Sequence, residues 1–261
     1  MKLGVSYNAF DDCIEHLEDS IKSIREAVEY VSVVYQKVSN YGQKGAPETL
    51  DLLKSLHKSG LIDECFMFEP HLPIKNRNEV NKRNLGIKTC RDAKCTHFMT
   101  IDCDEYYRAE QLNRAKGIIL DGDYDSSACQ MQTYWKESWR YRLTPPEDYY
   151  VSLIFKMTEH LNFIYGLPEF GVLVDPSRRS GPGKQRIFKR DEIEMHHMSY
   201  VRDNIRDKFE SSSAKGNWAT SIDQLTDYYN NWKFPEKILK AGQPVEEHTV
   251  IDCYEDYTAE Q

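Results

Sequence analysis

Along the first hundred residues the apolar positions follow two periods in turn. Residues 3–9, LGVSYNA, make a short strand-like run. Asp12 followed by Glu15 fits a capping box. Ile14, Leu17, Ile21, Ile24, Val28 and Val31 then recur at helical spacing and predict one buried stripe. VSVVYQ, residues 31–36, is the next strand. The chain thus opens strand–helix–strand, the unit that builds a parallel sheet. Residues 37–47 carry Gly42, Gly45 and Pro47 and read as a loop. A helix follows over 48–60, with Leu50, Leu53 and Leu56 inward and Gly60 as its stop. CFMFEP at 65–70 is a third strand, closed by Pro70. Residues 76–93 read as helix and 97–103 as a fourth strand.

After that the pattern loosens. The spacing predicts a helix over 108–117, a strand over 126–135 and a short strand near 186–188. The apolar stretch 149–157 fits no single element. Residues 199–210 read as helix, and Ser221 is placed to cap another over 222–231. There is no internal repeat and no low-complexity tract. The switch near residue 125 suggests two tasks on one scaffold: a first half that binds a nucleotide and a second that binds something more variable.

A length of 261 residues suits one sizeable α/β domain with a small appendage. No apolar run reaches the length of a membrane span, and MKLGVSYNAFDDC reads as a first strand rather than a signal peptide. Together these point to a cytoplasmic protein. Seven cysteines, an odd number with no CxxC, predict buried reduced thiols rather than a zinc site. A net charge of −8 tells against broad nucleic-acid binding. The exception is local: DPSRRSGPGKQRIFKR, residues 175–190, holds Arg178, Arg179, Lys184, Arg186, Lys189 and Arg190 against one anion.

The fourth strand climbs through Phe98, Met99 and Ile101 and meets Asp102 and Asp104. Side chains at i and i+2 of an extended segment point the same way. Both carboxylates can therefore converge at the carboxyl end of the strand, the edge where open parallel sheets bind ligands. Two such acids repel unless a hard divalent cation lies between them, and Mg²⁺ or Mn²⁺ completes its shell with substrate phosphates. Two solvated acids at a turn are the plainer alternative.

The order of SYN (6–8), KRNLGIKTC (82–90), HFMTIDCDEYY (97–107) and HHMSYVR (196–202) resembles the GT-A glycosyltransferases, especially their family-2-like group. The resemblance implies a GT-A fold, with a mostly parallel central sheet flanked by helices. It implies a catalytic domain over 1–200, with a nucleotide-binding half at 1–107 and an acceptor half at 108–200. A mainly helical extension would fill 201–261. Asp102 and Asp104 would hold the cation, Mn²⁺ or Mg²⁺, with His197 as the matching late histidine. Imidazole beside two carboxylates suits Mn²⁺. Tyr7 and Asn8 would lie near base and ribose, and Arg83 and Asn84 would face the nucleotide. Gln36 stands where the family carries an acid, which leaves the base open; uracil is the expectation. The processive-synthase motif Gln-x-x-Arg-Trp is missing, so transfer of a single sugar is implied.

Arg178 and Arg179, in the glycine-rich basic loop, could close over the diphosphate. Arg202 could also meet phosphate. An inverting transfer needs a carboxylate base, for which Asp148 is favoured over Glu147 and Asp175; Thr144, Pro145 and Glu147 also fit a helix capping box. Tyr134, Trp135, Trp139 and Tyr141 could be core or an acceptor platform. The acceptor stays open among a glycan, a lipid-linked sugar, a protein and a hydroxylated DNA base. Two rivals are a haloacid-dehalogenase-like phosphatase, whose Asp-x-Asp belongs on its first strand, and a sugar-nucleotide-binding protein without turnover.

Overall fold

In the computed structural model, residues 1–10, 13–40, 42–71, 75–166, 171–172, 174–212, 218–240 and 246–253 are described. In chain order the elements begin β1 (Leu3–Ala9), α1 (Leu17–Ile24), β2 (Tyr30–Tyr35), α2 (Glu48–Lys58), β3 (Glu64–Met67) and α3 (Lys75–Asp92). Next come β4 (His97–Asp102), β5 (Glu105–Tyr106), α4 (Ala109–Gly122), β6 (Ser126–Trp135), β7 (Tyr141–Thr144) and β8 (Tyr150–Lys156). The chain ends with β9 (Gln185–Ile187), β10 (Glu194–Tyr200), α5 (Ile205–Ser211), α6 (Ile222–Asn231), β11 (Ile238–Lys240) and β12 (Glu246–Asp252). Two compact units result: residues 1–130 with 148–195, and residues 131–147 with 196–261.

The first unit is a mixed α/β layer whose sheet is mostly parallel. Strands β3, β2, β1 and β4 run parallel in that order. β8 joins β4 antiparallel, the first half of β6 joins β8 antiparallel, and β9 lies parallel to β6. β1 is buried along almost its whole length, as expected of a parallel strand covered on both faces. Its odd residues meet one layer: the Tyr7 hydroxyl lies 3.1 Å from Ser20 Oγ on α1. Its even residues meet another, where a methyl group on Gly86 of α3 would come within 2.6 Å of Ser6 Cβ. Glycine there lets α3 seat directly on β1.

In the second unit, β11, β12, β7 and the end of β6 pair antiparallel. They cover a core of Trp135, Tyr141, Leu143, Tyr200, Ile205, Phe209, Leu225, Tyr229, Trp232, Ile238 and Val250. Trp135 and Tyr141 are thus core. α6 begins as expected, with Ser221 and Gln224 capping each other.

Several boundaries differ from the sequence reading. Asp12 lies outside the described residues. α1 starts at Leu17, Ile14 is exposed, and Val31 belongs to β2. Residues 149–157 contain β8. The helix expected over 199–210 is strand up to Tyr200 and helix only from Ile205, because Asn204 caps it by accepting from Arg206 N at 3.1 Å. No helix follows Thr144 and Pro145, so the capping box expected there does not form. Among the described residues after 201 there are two strands as well as two helices. Among the described residues no helix is long and apolar enough to cross a membrane. All seven cysteines are free thiols, six of them buried.

Candidate functional site

The order β3–β2–β1–β4 reverses direction between β1 and β4: the chain builds outward from β1 on one side, then returns to its other side. Such a switch point opens a crevice at the carboxyl ends of the two strands. Asn8 and Asp102 stand opposite each other there, in register. Asn8 Nδ2 donates to Thr100 Oγ1 at 3.0 Å and leans on Asp102 Oδ1 at 3.4 Å. That pairing fixes the amide, because its nitrogen must face the carboxylate. Asn8 Oδ1 is then buried, with no donor to it among the described residues.

Behind this edge is a buried cluster of acids and guanidiniums. Arg83 rises from α3, fully buried. Its Nη1 lies 3.0 Å from Asp102 Oδ1 and its Nη2 3.1 Å from Asp102 Oδ2, a two-pronged grip. Its Nε donates to Ser177 Oγ at 3.2 Å and its Nη1 also reaches Thr100 Oγ1 at 3.3 Å. Glu79, one turn earlier, lies 3.5 Å away and Asp175 3.6 Å. Arg178 Nη2 is 2.5 Å from both Asp102 Oδ2 and Glu105 Oε1. Its Nη1 is 2.9 Å from Glu105 Oε2 and its Nε 3.2 Å from Asp175 Oδ2. Asp102 N donates to Glu105 Oε2 at 3.1 Å.

Burial pushes the Asp102 carboxyl up, but Arg178 and Arg83 outweigh it and hold the group below the usual carboxylate range. Glu105 goes the other way. Burial, with Asp102 and Asp104 close by, lifts it to about 7 against the pull of Arg178. Burial also raises Glu79. Counting Asp104, itself 3% exposed, five carboxyls share two guanidiniums. The acid excess and the orphaned Asn8 oxygen make this edge chemically suited to a hard cation, which takes oxygen ligands. Among the described residues no three His, Cys, Asp or Glu side chains gather as a complete ligand set. That leaves two carboxylates plus ligand phosphates as the coordination the edge could offer.

Of the other residues singled out in the sequence, Tyr7 faces α1, is fully buried and cannot reach a ligand; it is a wedge between strand and helix. Asn84 clamps a loop: its Nδ2 donates to Phe163 O at 3.0 Å and its Oδ1 accepts from Phe163 N at 2.7 Å. Gln36 is buried and donates to Val38 O at 3.0 Å, so its amide orders the loop after β2. Arg178 is no lid residue, being 2% exposed inside the acid cluster. Arg179 Nη2 donates to Val174 O at 2.6 Å.

Most of the rest of the basic loop is also tied down, while Lys189 is exposed. Lys184 donates to Gly122 O, Arg186 pairs with Glu192, and Arg190 pairs with Glu194. Asp148 is exposed. Asp175 accepts from Ser177 N and Oγ, besides meeting both arginines. In the second unit, Glu147 accepts from Thr133 Oγ1. Arg202 is buried, and its backbone N–H donates to the Tyr229 hydroxyl. His196 is buried beside Trp139 with Nδ1 3.2 Å from the Tyr134 hydroxyl, whereas His197 is half-buried.

Sequence reasoning missed Glu105, Glu79, Thr100 and Ser177. Two had signals. Glu105 directly follows the Asp-x-Asp, and Glu79 stands four residues before Arg83 on one helix face.

No protein-family model and no curated protein matches the chain. Among solved structures, the 1-349 fragment of S. aureus TarS in complex with UDP-GlcNAc aligns at TM-score 0.44 and 13% identity, over 81% of this chain and 64% of that one. GalNAc-T7 with UDP, GalNAc and Mn²⁺ aligns at 0.46 and 10% identity, over 87% and 50%. Mannose-1-phosphate geranyltransferase from Thermus thermophilus aligns at 0.34 and 12% identity, over 61% and 51%. The chain spans only 22% of S. aureus TarS. With scores this low, the function of the site rests on its own residues.

Proposed function

We propose that this chain is a metal-dependent glycosyltransferase of the GT-A type, moving one sugar from a nucleoside-diphosphate sugar, a UDP-sugar, to an acceptor hydroxyl. The observation that carries the reading is the in-register pair Asn8 and Asp102 at the switch-point edge, backed by Arg83. Asp102 and Asp104 would hold Mn²⁺ or Mg²⁺, with Asn8 Oδ1 as an added acceptor for the cation or a ribose hydroxyl. Bound there, the cation offsets charge on the two donor phosphates as the nucleoside diphosphate departs. Arg83 keeps the Asp102 carboxylate ionised and aimed. Asp148, exposed, is the proposed base toward the acceptor hydroxyl. His197 is kept out of this ligand set, because no three His, Cys, Asp or Glu side chains gather to hold a metal among the described residues.

The phosphatase rival loses support because its Asp-x-Asp belongs at the end of a first strand, whereas Asp102 ends β4. A hydroxylated DNA base also loses support among acceptors, since most cations of the basic loop are paired within the chain. A glycan, a lipid-linked sugar and a protein remain.

The experiment is a panel of sugar nucleotides with Mn²⁺ and candidate acceptors, followed by nucleoside diphosphate release and acceptor mass. Release with one donor, abolished by chelation and by Asp102→Asn, is the expected result. No release and no thermal shift with any donor would overturn the reading. Binding with no product from any acceptor would leave only the sugar-nucleotide-binding rival.

A further inference from the structure

Both carboxylate oxygens of Asp102 are engaged by N–H donors, although about a third of its side chain faces solvent. Oδ1 faces Arg83 Nη1 and Asn8 Nδ2, and Oδ2 faces Arg83 Nη2 and Arg178 Nη2. A carboxylate offers about four lone-pair sites, and here all four point at N–H donors. Any ligand that coordinates Asp102 must therefore displace one of them. The two arginines differ in how they are held. Arg83 belongs to an eighteen-residue helix, and Thr100 and Ser177 bind it besides the acids. Arg178 lies outside helix and strand, just after a turn in which Asp175 Oδ1 accepts from Ser177 N at 2.8 Å. All its side-chain partners are acids: Asp102, Glu105 and Asp175.

Resting on the function proposed above, we infer that Arg178 is a resident counter-ion. It occupies the charge role of the divalent cation while the site is empty of donor, and it transfers to the donor diphosphate when metal and nucleotide arrive. Three features favour the exchange. Leaving Asp102 frees Oδ2 as a metal ligand. A guanidinium fork matches phosphate oxygens as well as it matches carboxylates. And with five carboxyls on two guanidiniums, the cluster gains when an added cation takes over from Arg178. Arg178 thereby couples the two ligands: metal binds weakly alone because it must compete with Arg178, and tightly with nucleotide because Arg178 has somewhere to go.

The test follows free Mn²⁺ by electron paramagnetic resonance in titrations of the full chain, with and without UDP. Wild type should bind Mn²⁺ about tenfold tighter with UDP than without, within the usual range of such couplings. Arg178→Gln should bind Mn²⁺ about tenfold tighter than wild type without UDP, and the further tightening by UDP, now from phosphate ligation alone, should be smaller than in wild type. Equal nucleotide-free affinities in the two proteins, with the UDP effect intact in both, overturn the inference while the proposed function stands. No Mn²⁺ binding by wild type with UDP overturns both.

Should Arg178→Gln fail to fold, wild type alone decides. Arg178 is 2% exposed and should resist phenylglyoxal. Saturating Mn²⁺ should raise its labelling several-fold, read by peptide mass, and UDP should suppress it again. Labelling that Mn²⁺ leaves unchanged overturns the inference.

Discussion

Arg83 on α3 grips Asp102 at the end of β4 through two parallel bonds of 3.0 and 3.1 Å. The contact ties the helix on one face of the sheet to the carboxyl edge where the candidate site opens. It also explains why arginine stands here. Lysine offers a point charge, whereas the planar fork fixes the plane of the carboxylate as well as its charge. The Arg-Asn-x-Gly run of α3 divides the work along one helix: Arg83 orients the acid, Asn84 pins the loop at Phe163, and Gly86 sets the helix against Ser6.

Arg83→Ala should be strongly destabilising. It leaves acids buried behind the edge with one guanidinium fewer, and breaking such a buried pair costs about 3–5 kcal/mol. Arg83→Lys should fall between, since charge returns without the fork. Urea unfolding of the three proteins checks this. A loss below about 0.5 kcal/mol in Arg83→Ala, the size of an ordinary surface change, would mean that the grip is incidental.

The cluster should also shape the pH profile of stability. The folded chain keeps the Glu105 proton up to about pH 7, while an unfolded glutamate releases it near pH ~4.3. Between those values the folded state binds more protons, so this residue makes stability fall as pH rises through the interval. Asp102 acts in the opposite sense. Its folded carboxyl is depressed, so its contribution is present above pH ~3.9 and is lost as the solution is acidified. Glu105→Gln should flatten the slope between pH ~4.5 and ~7 and leave the acid limb in place. Urea midpoints across that range give the answer; an unchanged slope in Glu105→Gln would be the wrong result.

Strands β1, β2 and β4 were legible because burial on both faces leaves continuous apolar runs, and α1 and α2 because each leaves a stripe. The strand over 126–135 and the helix over 222–231 were read to the residue. Local pattern gave less where partners are distant. Tyr7 and Asn8 are neighbours in sequence, yet alternation sends them to opposite faces, and only Asn8 reaches the edge. The basic loop looked like a mobile cationic lid because some of its acids lie far off and others just past its end: Arg178 meets Glu105, which lies 73 residues away, and Arg186 and Arg190 meet Glu192 and Glu194. Charge counted along a segment cannot see such pairing. The strand that ends at Tyr200 was hidden for a similar reason, since its partners come from remote strands.

In the second unit, Trp135 is the centre of the aromatic packing. Its ring lies 4.9 Å from Tyr229, 5.1 Å from Tyr200 and 6.3 Å from Trp232. Trp135→Ala should cost about 3–5 kcal/mol by cavity formation and lost contacts. Hydrogen exchange should show protection falling first in α5 and α6. Full protection there in the variant would mean that the core forms without this ring.

The seating of α3 on β1 makes the most specific prediction. Gly86→Ala places a methyl group 2.6 Å from Ser6 Cβ. Both positions are buried, and the obstacles are the Ser6 hydroxyl and the Ser6 Cβ, the second of which is fixed by the strand backbone. The helix must therefore back away from the strand, an overpacking cost of about 1–3 kcal/mol. Retreat would also loosen Arg83 from Asp102, so Mn²⁺ and UDP binding should weaken along with stability. Removing the obstacle restores the fit: Ser6→Gly in the same chain clears the space, whereas Ser6→Ala keeps the offending carbon. The double variant Ser6→Gly, Gly86→Ala should be more stable than the two single losses added together, by at least about 0.5 kcal/mol, a coupling expected only of residues in contact. Ser6→Ala, Gly86→Ala should recover less, since the hydroxyl is removed but the Cβ stays. Additive losses in both doubles would show that α3 is not held against β1 at this point, and that the reach of Arg83 is set by something else.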